Sequence, residues 1–272
     1  PPEQFAKLQK ELPGEVFTTR TLATYSYELN NKKAPFDNVN VRKALNLSLD
    51  RNVITDKVLG QGQTPTYVFT PTYIEEGHLI QQPAYSKEPM AQRNEEAIKL
   101  LEEAGYSKAN PLKFSILYNT NENHKKVAIA AASMWKANTK GLIDVKLENQ
   151  EWKTYIDSRR AGRYDAARAG WNADYNQATT FGNYFLSNSS NNTAKYANPE
   201  YDKAIAESYV ATDAEGRAKA YAKAEEILAK DFGIVPIFNY VNPRLVKPYV
   251  KGYSGKDPQD HIYLRNLYII KH

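Results

Sequence analysis

The feature that most restricts the fold is an alternation of strand and helix signals between residues 112 and 168. Leu112, Phe114 and Ile116 mark a strand, and a helical stretch follows from about Glu122 to Lys140. Ile143-Asp144-Val145-Lys146-Leu147 reads as a second strand, Glu151 to about Arg160 as a helix, and Tyr164-Asp165-Ala166-Ala167-Arg168 as a third short strand. This rhythm implies an α/β chain with a parallel or mixed sheet and helices packed on its faces. Such sheets hold ligands beyond the carboxyl ends of their strands.

The flanking regions extend the same pattern. Pro1-Pro2-Glu3-Gln4-Phe5-Ala6-Lys7-Leu8 suits a short helix with proline at its start. Val16–Thr19 and Leu22–Asn30 read as two β segments, and Val41, Leu45 and Leu49 recur every four residues as in a helix. A second short helix runs through Val53, Ile54, Lys57 and Val58 and stops at Gly60-Gln61-Gly62. Residues 61–92, with Pro65, Pro71, Pro83, Pro89 and Gly77, read as irregular. Ala97, Leu100, Leu101 and Ala104 form one helical face, with Gly105 where a left-handed stop belongs. Helices at about 199–210 and 214–231 precede a strand at 234–241, and Arg244–Val246 and Tyr268–Ile270 read as further short strands.

Composition removes whole classes of chemistry. The 272 residues contain no cysteine, which rules out thiolate nucleophiles, disulfides, zinc ribbons and iron–sulfur ligation. The four histidines, His78, His124, His261 and His272, are too scattered to suggest a metal site, and no motif calls for a cofactor. No phosphate-cradling glycine loop, nucleophile elbow or H-E-x-x-H motif is present. The net charge of +5 invites nucleic acid, but lysines alternate with acids, as along Lys219–Glu226, and form no basic stripe. No apolar run approaches the roughly 18 residues of a membrane span. Tyrosine is abundant, at 20 against 9 Phe and 3 Trp. Such a surfeit suits either half-buried sheet positions or surfaces that grip polar ligands with ring faces and hydroxyls.

Residues 150–176 carry the densest chemistry. Trp152, Tyr155, Ile156 and Arg159 share a helix face, either as core with Arg159 at its edge or as the wall of a site. Arg168-Ala169-Gly170-Trp171-Asn172-Ala173-Asp174-Tyr175-Asn176 places an arginine, a tryptophan and an aspartate just beyond the third strand. Aspartate can grip an ammonium and arginine can fork a carboxylate, so this spacing suits a zwitterion. Trp135, one helix turn past Ala131, reads as core.

The 168–176 segment, together with Asn149–Ile156, Leu117–Thr120, Arg244–Pro248, Gly255–Pro258 and Tyr268–His272, resembles the periplasmic oligopeptide-binding proteins of bacterial ABC importers. The resemblance runs over essentially the whole chain and matches the C-terminal half of that family. It implies a lobe of a two-lobed clamp: a mixed sheet flanked by helices over residues 23–241, with 1–22 and 242–272 belonging to the other lobe. It further implies short peptides as ligands, a membrane permease and the remaining N-terminal lobe as partners, a periplasmic location, no enzymatic activity and no nucleic acid. The alternatives are a murein-peptide, dipeptide or haem receptor of the same family, or a peptide hydrolase.

Carried across by position, Asp174 matches the ligand of the peptide ammonium. Arg168, Arg159 and His124 match the cations that receive the peptide C-terminus. Trp152 and Trp171 match walls of side-chain pockets, Glu28 and Tyr240 match further cleft residues, and Asn172 offers its backbone. There are departures. Ala23 and Asn172 stand where some relatives carry a cysteine pair, Leu59 stands where a lysine can occur, and Ser26 replaces a tyrosine.

Overall fold

The computed structural model describes residues 4–272, so the expected proline start of the first helix lies outside the described residues. The helices are α1 (Phe5–Glu11), α2 (Val39–Leu47), α3 (Met90–Glu103), α4 (Glu122–Asn138), α5 (Trp152–Arg160), α6 (Thr179–Gly182), α7 (Pro199–Val210) and α8 (Ala214–Lys230). The strands are β1 (Val16–Leu29), β2 (Thr64–Pro65), β3 (Leu112–Asn119), β4 (Ile143–Gln150), β5 (Ala166–Asn172), β6 (Ile234–Leu245), β7 (Val250–Lys251) and β8 (Tyr268–Ile269).

One six-stranded sheet runs in the order β2-β6-β1-β5-β3-β4, and β7 and β8 form a separate pair. Pairing within β3–β4 and β3–β5 is parallel, whereas β1 pairs antiparallel with both β5 and β6. The sheet is therefore mixed, as expected from helices joining the middle strands and hairpin-like returns elsewhere. Each face carries its own core. Tyr25, Tyr27 and Leu29 of β1 pack with α2, α3 and α4. On the opposite face, Phe69, Phe181, Tyr184 and Phe185 pack with α7 and α8. Trp135 is fully buried in the first core, its indole N–H donating to the Leu45 carbonyl at 2.9 Å.

Three expectations need correction. The β segments at 16–19 and 22–30 are one strand, and Arg244 and Leu245 continue β6 rather than forming a new strand. The interruption is a bulge. Arg20 faces Val241 and Thr24 faces Asn239, so Thr21, Leu22 and Ala23 oppose Tyr240 alone. The expected lobe boundaries at 22/23 and 241/242 fall at this irregularity, inside two strands that pass through it. The short helix expected through Val53–Val58 forms there; it is π-helical and ends at Gly60 in the left-handed conformation. Thirdly, β5 does not stop at Arg168. It runs on to Asn172, because these residues keep pairing with β1 after contact with β3 has ended at Ala167.

Candidate functional site

The site follows from what β3, β4 and β5 do at their carboxyl ends. Beyond β3, the Asn121 side chain accepts from the amides of Asn123 and His124 at 2.9 and 3.2 Å, capping α4 and fixing His124 in its first turn. Beyond β4, Glu151 caps α5 and sets Trp152 at its first position. In β5, Arg168, Gly170 and Asn172 alternate onto one face, with Tyr27, Tyr25 and Ala23 of β1 opposite them. A cleft of about 650 Å³ lies among Asn119, His124, Trp152, Arg168, Gly170 and Asn172. Its other wall is the C-terminal segment, through Pro258, Gln259 and Asp260. Tyr240 and His124 also border an adjoining, more apolar hollow of about 510 Å³.

The edge of β5 is the main polar resource. Pairing with β3 covers only Ala166 and Ala167, so from Arg168 to Asn172 one side of the strand is unpaired. The Arg168 carbonyl accepts the Tyr155 hydroxyl, whereas the Ala173 amide donates to Leu22 on the β1 side at 2.8 Å. Backbone groups alternate along a strand, so those of Gly170 and Asn172 face the open edge. Gly170 lies where a Cβ would sit 3.1 Å from the Tyr240 hydroxyl and 3.2 Å from the Arg168 guanidinium. Any side chain there would crowd both.

Arg168 is the charge at the floor of this cleft. It donates to the Tyr240 hydroxyl at 2.6 Å and lies 5.2 Å from the centre of the Tyr25 ring. No carboxylate pairs with it among the described residues, and its buried Nε has no hydrogen-bond partner. Burial, and then the positive charge of Arg168, push the His124 imidazole down to about 3. His124, expected as a cation, is thus a neutral ring in the ligand-free chain. Its ring centre is 5.6 Å from that of Tyr25, and its buried Nδ1 has no partner among the described residues.

Arg159 differs from the expectation in another way. It is bonded to Glu28 at 2.8 Å and to the hydroxyls of Tyr184 and Thr193 at 3.2 and 3.0 Å. Glu28 is 1% exposed, with Tyr184 donating to its Oε1 at 2.6 Å and Thr193 donating to Oε2, the oxygen that Arg159 also holds. Glu28 therefore faces the protein interior rather than the cleft. Its position on the sheet face opposite Arg168 follows from the odd–even alternation of β1.

Asp174 stands two residues past β5, exposed, with no ion-pair partner among the described residues. Its amide and one carboxylate oxygen meet the Thr180 hydroxyl, which also accepts from the Trp171 indole. Trp171 packs edge-on against Tyr184, 4.9 Å between ring centres. Trp152 is 54% exposed and stacks over Tyr155, so it is a wall and not core. Asn172 is exposed directly opposite Ala23. Sequence reasoning missed Tyr25, Gly170 and Thr180. Tyr25 and Gly170 lay in plain view of the strand alternation, once β5 was drawn to Asn172. Nothing local marked Thr180. No group of three or more metal-ligating side chains occurs among the described residues.

The chain belongs to the bacterial extracellular solute-binding proteins, family 5, whose middle-region profile matches residues 1–193. It is 97% identical, over its whole length, to the periplasmic oligopeptide-binding protein OppA of Haemophilus influenzae, and 44% identical to the periplasmic murein peptide-binding protein MppA of Escherichia coli. The crystal structure of Haemophilus influenzae OppA in complex with RPPGFSPFR superposes with a TM-score of 0.93 at 96% identity. That match covers all of this chain and 53% of the other. The chain spans about half the length of the relatives it matches, 50% of each of the two named proteins.

Proposed function

We propose that this chain is the peptide-gripping part of a non-enzymatic, periplasmic receptor that delivers short peptides to the permease of an ABC importer. The single observation that carries the reading is the open edge of β5 between an arginine without a carboxylate and an exposed aspartate. An extended peptide laid on that edge would bond through its main chain at Gly170 and Asn172, which disregards side-chain identity. Its ammonium would meet Asp174, and its carboxylate the Arg168 end of the cleft, where His124 can gain a proton as negative charge arrives. Trp152 and Trp171 would wall the side-chain spaces, and Tyr240 would hold the guanidinium in place. Arg159 and Glu28 would act from behind, keeping Tyr184 and so the Trp171 ring in position.

The same reading divides the chain at the bulge. Residues 23–241 would form one lobe, and 1–22 with 242–272 would belong to a second lobe completed by sequence outside this chain. Closure would bring the second wall, which already includes Pro258 to Asp260, onto the peptide.

The test is a titration of the isotope-labelled chain with trialanine and its N-acetyl form, following the three indole N–H signals by NMR. Free trialanine should move Trp152 and Trp171 with millimolar affinity, on the order of 4 kcal/mol, and leave Trp135 still. Asp174→Ala should abolish the response to the free-amine peptide without unfolding the chain. An unchanged response in that variant, or equal binding of the acetylated peptide, would sink the assignment. Turnover of the peptide would overturn the non-enzymatic reading.

A further inference from the structure

Thr180 lies outside β5 and meets the proposed ligand path only through its neighbours, yet three hydrogen bonds converge on its hydroxyl. The Trp171 indole N–H donates to it at 3.3 Å and the Asp174 amide at 3.2 Å, while the Asp174 carboxylate oxygen Oδ2 lies 3.4 Å away. A hydroxyl has two acceptor sites and one proton. Two N–H groups occupy both acceptor sites, so the proton is left for Asp174 Oδ2, the only acceptor among the three partners. The hydroxyl is thereby saturated, and its direction is fixed by its partners. Thr180 is 4% exposed at the start of α6, packed beside Phe181 of the second core. Its own position is therefore set by packing, independently of the exposed loop it holds.

We propose that Thr180 is the positioning residue of this site: it turns one oxygen of Asp174 inward and leaves the other free for a ligand ammonium, while setting the plane of Trp171. The inference rests on the reading of Asp174 as the ammonium anchor. Without the hydroxyl, Asp174 would sample several rotamers over an exposed loop, and each ammonium bound would have to order it first. Among the described residues, Trp171 would also lose the one hydrogen bond its indole makes, keeping just its edge contact with Tyr184. The linkage continues inward, because Tyr184 donates to Glu28 and Glu28 holds Arg159. The exposed anchor is thus tied to a buried polar cluster through one threonine.

The experiment compares Thr180→Val, which keeps the shape and removes the hydroxyl, with Thr180→Ser, which keeps the hydroxyl. Before any ligand is added, Thr180→Val should shift the Trp171 indole N–H signal and average the Asp174 side-chain couplings, and Thr180→Ser should restore both. In titrations with trialanine, Thr180→Val should weaken binding about tenfold, with Ser near the parent value and the N-acetyl peptide indifferent to either change. Thr180→Ala serves where the valine disturbs packing. Unaltered Asp174 couplings in both hydroxyl-free variants would overturn the proposal, as would equal losses for free and acetylated peptides. Asp174→Asn separates the two levels. If it leaves the preference for a free amine intact, the anchor reading falls and takes this inference with it. If it destroys the preference while Thr180→Val changes nothing, only the role of Thr180 falls.

Discussion

Arg159 and Arg168 sit nine residues apart, both largely withdrawn from solvent, and the chain treats them in opposite ways. Arg159 is closed into a polar cluster with Glu28, Tyr184 and Thr193, where its charge is compensated and Glu28 is bonded through both oxygens. Arg168 has a phenol, a ring face and no carboxylate among the described residues. A buried charge is costly unless paired. The first arginine therefore completes the fold, whereas the second retains a capacity that an arriving anion would use. The resemblance to the oligopeptide-binding family implies the same role for both. Their difference comes from strand parity: Glu28 and Arg168 project from opposite faces of the sheet, so the one available acid reaches only Arg159.

The largest effect that would break this contrast concerns stability. Arg159→Met leaves Glu28 buried without a cation and should cost about 3–5 kcal/mol, read as a lowered urea midpoint at unchanged slope. Combining it with Glu28→Gln should return much of that loss. Arg168→Met removes a charge that has no acid to abandon, so its stability should stay within about 1 kcal/mol of the parent. Its penalty should fall on binding instead. Trialanine should bind about tenfold more weakly, while the C-terminal amide of the same peptide is affected little. Equal destabilisation by the two methionine variants would erase the distinction drawn between the arginines.

How much of this was legible beforehand depends on the range over which each signal acts. The helices α7 and α8, the strands β3 and β4 and the stop at Gly105 follow from local periodicity and glycine chemistry, and they lie where those signals put them. The π-helical turn and the bulge in β1 do not, since both are settled by neighbours in space. The bulge residues find partners in three separate segments: Thr21 O accepts from Tyr73, Leu22 N donates to Pro258, and Leu22 O accepts from Ala173. No window of sequence contains the bulge together with all three of those segments. For the site, the motif at 168–174 was visible as chemistry, but its expected place beyond the strand is not what forms: Arg168 to Asn172 lie within β5, and only Ala173 and Asp174 follow its end. Whether β5 ends at Arg168 or Asn172 is decided by β1, about 145 residues earlier in the chain. Thr180 was invisible for the same reason, because a threonine acquires meaning only from the three groups that converge on it.

The smallest predicted effect is the most discriminating, because it reads the field of one arginine and not the other. In the unfolded chain His124 titrates near 6.5, whereas in the folded chain burial, reinforced by Arg168, pushes it down to about 3. Between those values the unfolded chain binds a proton that the folded chain rejects. The stability contributed by neutral His124 is thus intact above pH 6.5 and is lost progressively as pH falls towards 3. The His124 ring-proton signal should accordingly stay flat from pH 7 to pH 4. In Arg168→Met the midpoint should rise, but only in part, since burial is the larger cause and remains. In Arg159→Met it should not move, because that charge is balanced by Glu28 and lies on the far face of the sheet. Trialanine, bringing a carboxylate to Arg168, should raise the His124 midpoint in the parent chain, and the peptide amide should not. A midpoint that ignored the carboxylate would place the peptide terminus away from Arg168 and return the two arginines to equal standing.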